Sequence, residues 1–267
     1  MRRSSGALPQ IEGPKGAPAV VLISSIGMDR SLWREQMPVL RQFRVVRFEQ
    51  RGHGSDPVPP GPYSIADLGS DVVDILDDFE LQQSALCGLS LGGLVAMWVA
   101  AHVPERVSAL ATACTSAFPG DPQKWATRAG QVRAGELRSI AVGNSERWFT
   151  PPFAATHQEL LAELRGIVAS NSSEGYAACC EALRDADLRD DLVKITAPTL
   201  VIAGTQDLAF PRQHAVDLRD RIAGAELVEI EAAHIANLEA PDAFNAALLR
   251  LLAGVHGADD AENVERV

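Results

Sequence analysis

The chain has 267 residues, 46% of them hydrophobic and 22% charged, ordinary values for a globular protein built as one large domain or one domain with an insertion. Its net charge of −11 at pH 7 argues against nucleic acid as a partner, because phosphate binding needs clustered Lys and Arg. Four cysteines, Cys87, Cys114, Cys179 and Cys180, form no CxxC pair and have no histidine at ligand spacing, which argues against a metal site and reads as reduced thiols of a cytoplasmic protein. The opening "MRRSSGALPQ" has two arginines with no apolar core behind them, so no export signal is expected there. No stretch approaches the roughly 18 apolar residues of a membrane span.

In chain order, "APAVVLIS" (17–24) is a short β-branched run and predicts a buried strand; "FRVVRFE" (43–49) predicts a second. "SIADLGSDVVDILDDF" (64–79) sets Ile65, Leu68, Val72, Ile75, Leu76 and Phe79 on one stripe at helical spacing. A third strand, "SALCG" (84–88), leads into an apolar helix, "LVAMWVAAH" (94–102), and a fourth strand, "VSALATAC" (107–114). From about Pro119 to Thr196 the patterns are helical only, too long for a loop. Strands return at "APTLVIAG" (197–204) and "AELVEIE" (225–231), each followed by a helix that opens on proline, 211–222 and 241–252. Continuous apolar strands alternating with helices predict an α/β fold with a mostly parallel sheet covered on both faces. The expected organisation is a core in two parts, 1–118 and 197–254, with a helical cap at 119–196 and a frayed polar tail at 255–267.

The chemistry is concentrated in four places. Gly88-Leu89-Ser90-Leu91-Gly92 is G-x-S-x-G between a strand and a helix, the context in which the motif presents a nucleophilic serine. Glycine two before and two after the serine removes side chains that would collide in so tight a turn. The amide of Leu91, at the start of a helix, is placed to hold a developing oxyanion. A serine needs a base. His234, in "EIEAAHIANLEAP", follows the last strand, at the sheet edge where ligands bind. His53, in the Gly/Pro-rich "QRGHGSDP", is the rival, with loop anchoring as its alternative role; His102, His157, His214 and His256 fall in or near helices, the cap and the tail. Asp207, in "VIAGTQDLAFP", follows the preceding core strand and completes the chain order Ser, Asp, His. It is expected to stay ionised and to orient the imidazole. The loop "ISSIGMDRSLW" after the first core strand is expected to give the second oxyanion donor, the amide of Ile26, and to set Ser25 against the substrate.

With these residues in hand, the chain resembles the α/β-hydrolase fold over nearly its whole length. Within that fold it resembles the 3-oxoadipate enol-lactonases of aromatic breakdown. The resemblance rests on "SIGMDRSLW", "RFEQRGHGSDPVPPGPYSIADLGSDV", "GLSLGGLVAMWVAAHVPERV", "RWFTPPF", "EGYAACCEALRDADLRD" and "AHIANLEAPDAF". It departs at Gln206, where relatives usually carry Glu, at Leu91, where Met is common, and at Ser24-Ser25, where many carry His-Gly. The resemblance implies that Ser90 opens a lactone with no metal or organic cofactor. It also implies a small substrate with a free carboxylate. On an acidic protein something local must neutralise that group, and the cap offers Arg128, Arg133 and Arg147, since an arginine fork matches a carboxylate. Trp125 and Trp148 either line the pocket or pack the cap. At this length the chain is expected to be a stand-alone lactonase, with homo-oligomerisation left open. A serine at the nucleophile position argues against a haloalkane dehalogenase. A carboxylesterase, a cofactor-free perhydrolase and a slow-turnover ligand receptor share the same three residues and stay open on sequence.

Overall fold

A computed structural model describes residues 9–54 and 58–264. The N-terminal residues read as lacking an export signal are therefore mostly outside the described residues, as are residues 55–57 of the His53 loop and the last three of the tail.

The strands are β1 (Gln10–Glu12), β2 (Ala19–Ile23), β3 (Arg44–Arg47), β4 (Ser84–Leu89), β5 (Val107–Ala113), β6 (Thr199–Gly204) and β7 (Glu226–Ile230). They form a seven-stranded sheet in the order β1-β3-β2-β4-β5-β6-β7. All neighbours are parallel except β1 and β3. Every residue of β2, β4 and β6 is buried, so both faces of the sheet are covered, as the unbroken apolar runs predict. The six sequence-predicted strands are present; β1 is the addition. It spans three residues, paired at the edge with alternating exposure.

The helices are α1 (Ile65–Asp78), α2 (Leu91–His102), α3 (Pro122–Gln131), α4 (Leu137–Ser145), α5 (Pro151–Thr156), α6 (Gln158–Ser170), α7 (Ser173–Asp185), α8 (Gln213–Arg221), α9 (Ala236–Glu239) and α10 (Pro241–Val264). Helix α1 begins at Ser64, whose hydroxyl accepts from the Asp67 amide while the Asp67 carboxylate accepts from the Ser64 amide, a reciprocal cap. Its buried stripe is the one its spacing predicts, Ile65, Leu68, Val72, Ile75 and Leu76. Between β5 and β6 the chain forms helices α3 to α7 with no strand among the described residues. The first of these patterns, read from sequence as one run, breaks at a π-turn, Val132–Glu136, where Gly135 takes φ +92°. Helix α10 runs on to Val264, through most of the segment read as a polar tail. Among the described residues no helix is long and apolar enough to cross a membrane.

The arrangement has one consequence for chemistry. The loops after β2, β4, β6 and β7 leave the same carboxyl-terminal edge of the parallel strands, and they carry Ser25, Ser90, Asp207 and His234 in turn.

Candidate active site

Ser90 joins β4 to α2 with φ +57° and ψ −116°, a conformation that costs an L-residue on the order of 1–3 kcal/mol. The surroundings impose it. The Ser90 amide donates to Ala113 O at 2.9 Å, and the Ser90 carbonyl accepts from Thr115 Oγ1 at 2.7 Å. A Cβ on Gly88 would lie 2.1 Å from the Gly92 carbonyl oxygen, the collision read from the motif. Gly92 has a different constraint. A Cβ there would lie 2.0 Å from the Ile23 carbonyl oxygen, so this glycine lets α2 press against the end of β2. Helix α2 starts at Leu91, three residues earlier than the sequence suggests, and its first amides have no partner within the helix.

His234 follows β7, and its Nδ1–H donates to Asp207 Oδ2 at 2.9 Å. That bond assigns the proton to Nδ1 and leaves Nε2 with a lone pair. The other carboxylate oxygen of Asp207 accepts from the amides of Ala209 at 2.7 Å and Phe210 at 3.0 Å. Burial alone would raise the Asp207 carboxyl; His234 and these hydrogen bonds outweigh it and hold the group below the usual carboxylate range. The histidine loop is tied to the cap. Glu239 accepts from the amide of Ala233 at 2.7 Å with one oxygen. With the other it accepts from the amide of Thr150 at 2.9 Å and from the Thr150 hydroxyl.

Ser90 and His234 open into one pocket. Ser25 and Ile26 line it from the β2 loop, and Phe210 from the Asp207 loop. The cap contributes Lys124, Trp125 and Arg128 of α3, Asn144, Arg147 and Trp148 at and beyond the end of α4, Val168 of α6 and Tyr176 of α7. Five of the six residues predicted to bind substrate are therefore here: Ser25, Trp125, Arg128, Arg147 and Trp148. The tryptophans do both jobs left open by sequence, since each is also buried in the cap core.

Arg133 does not join them. Its guanidinium is bound by Glu174 at 2.7 Å and Glu181 at 2.6 Å, both on α7. It lies past the end of α3, in the π-turn Val132–Glu136, and its side chain reaches α7 instead of the pocket. Lys124 was missed, although it lies one helical turn before Arg128, on the same face.

Lys124, Arg128 and Arg147 have no carboxylate within ion-pair distance among the described residues. Arg128 lies over the Trp125 ring at 4.9 Å, and Arg147 Nη2 donates to Asn144 Oδ1 at 2.9 Å. Burial, then the neighbouring charge of Arg128, lowers the Arg147 pKa. Burial, then Arg147 and Arg128, lowers that of Lys124. An acidic protein thus keeps a pocket wall whose cations repel one another, an arrangement that an anion relieves.

A serine on a strained turn, an imidazole with its Nε2 unclaimed and a buried carboxylate at the edge of such a sheet define a class. The chain belongs to the alpha/beta hydrolase fold family, whose profile matches residues 18–241. Within it, the chain is 40% identical to 3-oxoadipate enol-lactonase 2 of Acinetobacter baylyi, over 88% of this chain and 89% of that protein. It is 34% identical to 3-oxoadipate enol-lactonase 1 of the same organism, over 88% of each. Among solved structures it is similar to the enol-lactonase from Burkholderia xenovorans, with a TM-score of 0.90 and 38% identity over 92% of this chain and 96% of that one.

Proposed function

We propose that this chain hydrolyses 3-oxoadipate enol-lactone to 3-oxoadipate by a serine mechanism, in a cytoplasmic setting that suits its four free thiols. The observation that carries the reading is the shared pocket: Ser90 and His234 at one side, Arg128 and Arg147 without carboxylate partners at another. Enol-lactonase relatives at 34% and 40% identity support the substrate.

Ser90 Oγ attacks the lactone carbonyl while His234 Nε2 takes its proton; Asp207 steadies the resulting imidazolium. The amides of Leu91 and Ile26 hold the oxyanion. The tetrahedral intermediate collapses, the ring C–O bond breaks, and His234 returns the proton to the departing enolate oxygen. The enol, still tethered through the acyl group, tautomerises to the ketone. A water molecule, deprotonated by His234, then attacks the acyl-serine, and the second collapse releases the new carboxylic acid and restores Ser90. Arg128 and Arg147 hold the carboxylate the substrate already carries, and the neighbouring cation Lys124 stands at the exposed side of the same wall.

The test is a steady-state assay on freshly generated enol-lactone, followed by loss of its ultraviolet absorbance, beside p-nitrophenyl acetate. The reading expects a kcat/KM of roughly 10⁴ M⁻¹s⁻¹ or above on the lactone. Turnover confined to the simple ester would make the chain a general esterase. A single near-stoichiometric burst without turnover would make it a receptor.

A further inference from the structure

The loop after β2 turns between Ser25 and Met28: the Met28 amide donates to Ser25 O at 3.1 Å, and Gly27, in third place, has φ +78°. A turn with glycine at that position and sign has a competitor in which the central peptide, here Ile26–Gly27, is flipped over. Three side chains from other parts of the fold oppose any such movement. His53 Nε2 accepts from the Gly27 amide at 2.6 Å. Asn171, at the end of α6 in the cap, donates to Gly27 O at 2.8 Å. Gln50 Nε2 donates to Ser24 O at 2.5 Å. The peptides Ser24–Ser25, Ile26–Gly27 and Gly27–Met28 are each held by one of these bonds. Ser25–Ile26, whose N–H is the proposed oxyanion donor, lies between held neighbours and borders the pocket.

His53 is built for this task. It is fully buried, so its ring has no water to turn to. Its second nitrogen, Nδ1, lies 3.3 Å from Arg51 O, a carbonyl that can only accept. That fixes the proton on Nδ1 and leaves Nε2 as an acceptor. Asn171 joins the same frame from the other side, since its Oδ1 accepts from the Gly54 amide at 3.0 Å.

We propose that His53 is a positioning residue for the oxyanion hole: by holding the Gly27 amide it fixes the turn that aims the Ile26 N–H at the reacting carbonyl. The inference rests on the serine-hydrolase reading above and acts through Ile26, with no contact between His53 and substrate. His53 therefore has no part as the base, the role in which it rivalled His234 on sequence. Losing the hold misplaces one oxyanion donor, an effect that removal of such a donor elsewhere sets at about 10²–10³ in kcat.

The experiment compares His53→Leu, which removes the acceptor, with His53→Gln, which restores one, on p-nitrophenyl acetate and on the lactone. Affinity for an alkyl trifluoromethyl ketone, which forms an oxyanion on the serine, is measured alongside. His53→Leu is expected to lower kcat about 10²-fold with KM within about threefold of wild type, and to weaken the ketone by the same factor as kcat/KM. His53→Gln is expected to recover most of the loss. A folded His53→Leu protein with kcat and ketone affinity within about threefold of wild type overturns the proposal; so does a loss that appears in KM alone. If His53→Leu does not fold, His53→Phe, which keeps a ring's bulk without an acceptor, gives the same readout, and an unchanged kcat there overturns the proposal equally. Wild-type activity on the ester but not on the lactone would retire the substrate reading while leaving this comparison intact.

Discussion

Arg147 stands beside Arg128 in the pocket wall with no carboxylate to separate them, and burial together with that neighbouring charge lowers its pKa. A carboxylate arriving between them gains hydrogen bonds to charged donors, each worth about 1.5–3 kcal/mol. Arg128→Ala and Arg147→Ala are therefore expected to raise KM for the enol-lactone about 10-fold or more while kcat stays within a few-fold. Neither should change turnover of p-nitrophenyl acetate, which carries no charge. Arg133→Ala serves as the control, because Glu174 and Glu181 already occupy that guanidinium. Steady-state kinetics on both substrates check all three. Exposed Lys124 has a smaller effect: Lys124→Met is expected to raise KM up to about fivefold, less at high salt.

Ser90, His234 and Asp207 act as one unit in the proposed mechanism. Ser90→Ala and His234→Ala are each expected to lower kcat by about 10⁴ or more. Asp207→Asn should lower it by about 10⁴, because an amide at the Oδ2 position no longer dictates which imidazole nitrogen carries the proton. Circular dichroism and single-turnover kinetics on the purified variants separate lost chemistry from lost folding.

Gly92 sets a steric limit. Alanine there would place a methyl group 2.0 Å from Ile23 O and 2.7 Å from Ser24 O, both backbone atoms that cannot swing away. Gly92→Ala is expected to lower stability by about 1–3 kcal/mol or more and to reduce kcat, since whatever relieves the clash moves the turn carrying Ile26. Urea melts and ester turnover on one preparation measure both effects.

Buried His53 also makes stability depend on pH. Burial lowers its pKa from 6.5 to about 4. The unfolded chain binds a proton at this site below about pH 6.5, whereas the folded chain does not until about pH 4. Acid therefore favours the unfolded state across that window, and stability falls as pH falls. Between pH 7 and pH 5 this site alone removes about 2 kcal/mol. Urea melts at the two pH values should show a smaller loss for His53→Gln than for the wild type, by about that amount.

The sheet and the gathering of Ser90, Asp207 and His234 at its edge were legible because their signals are local. Unbroken apolar runs such as Ala19–Ile23 and Thr199–Gly204 carry the signal of a buried strand in themselves, and Gly88 and Gly92 around Ser90 record a steric demand within five residues. What sequence could not show depends on partners far along the chain. Arg133 and Arg147 look alike until α7 brings Glu174 and Glu181 to one of them. Lys124 was within reach, one turn from Arg128, had helix faces been compared. β1 has three residues and owes its existence to pairing with β3, so no periodicity announces it. His53 read as a loop anchor. That the loop it anchors is the one across from Ser90 follows only from the fold.

Glu239 holds Thr150 with one carboxylate oxygen and Ala233, next to His234, with the other. The cap is consequently no exchangeable cover laid over a finished machine. A chimaera given a foreign cap would keep its serine and lose the brace that sets the height of its histidine. Cap exchange among relatives should succeed only where the residues matching Thr150 and Glu239 travel together.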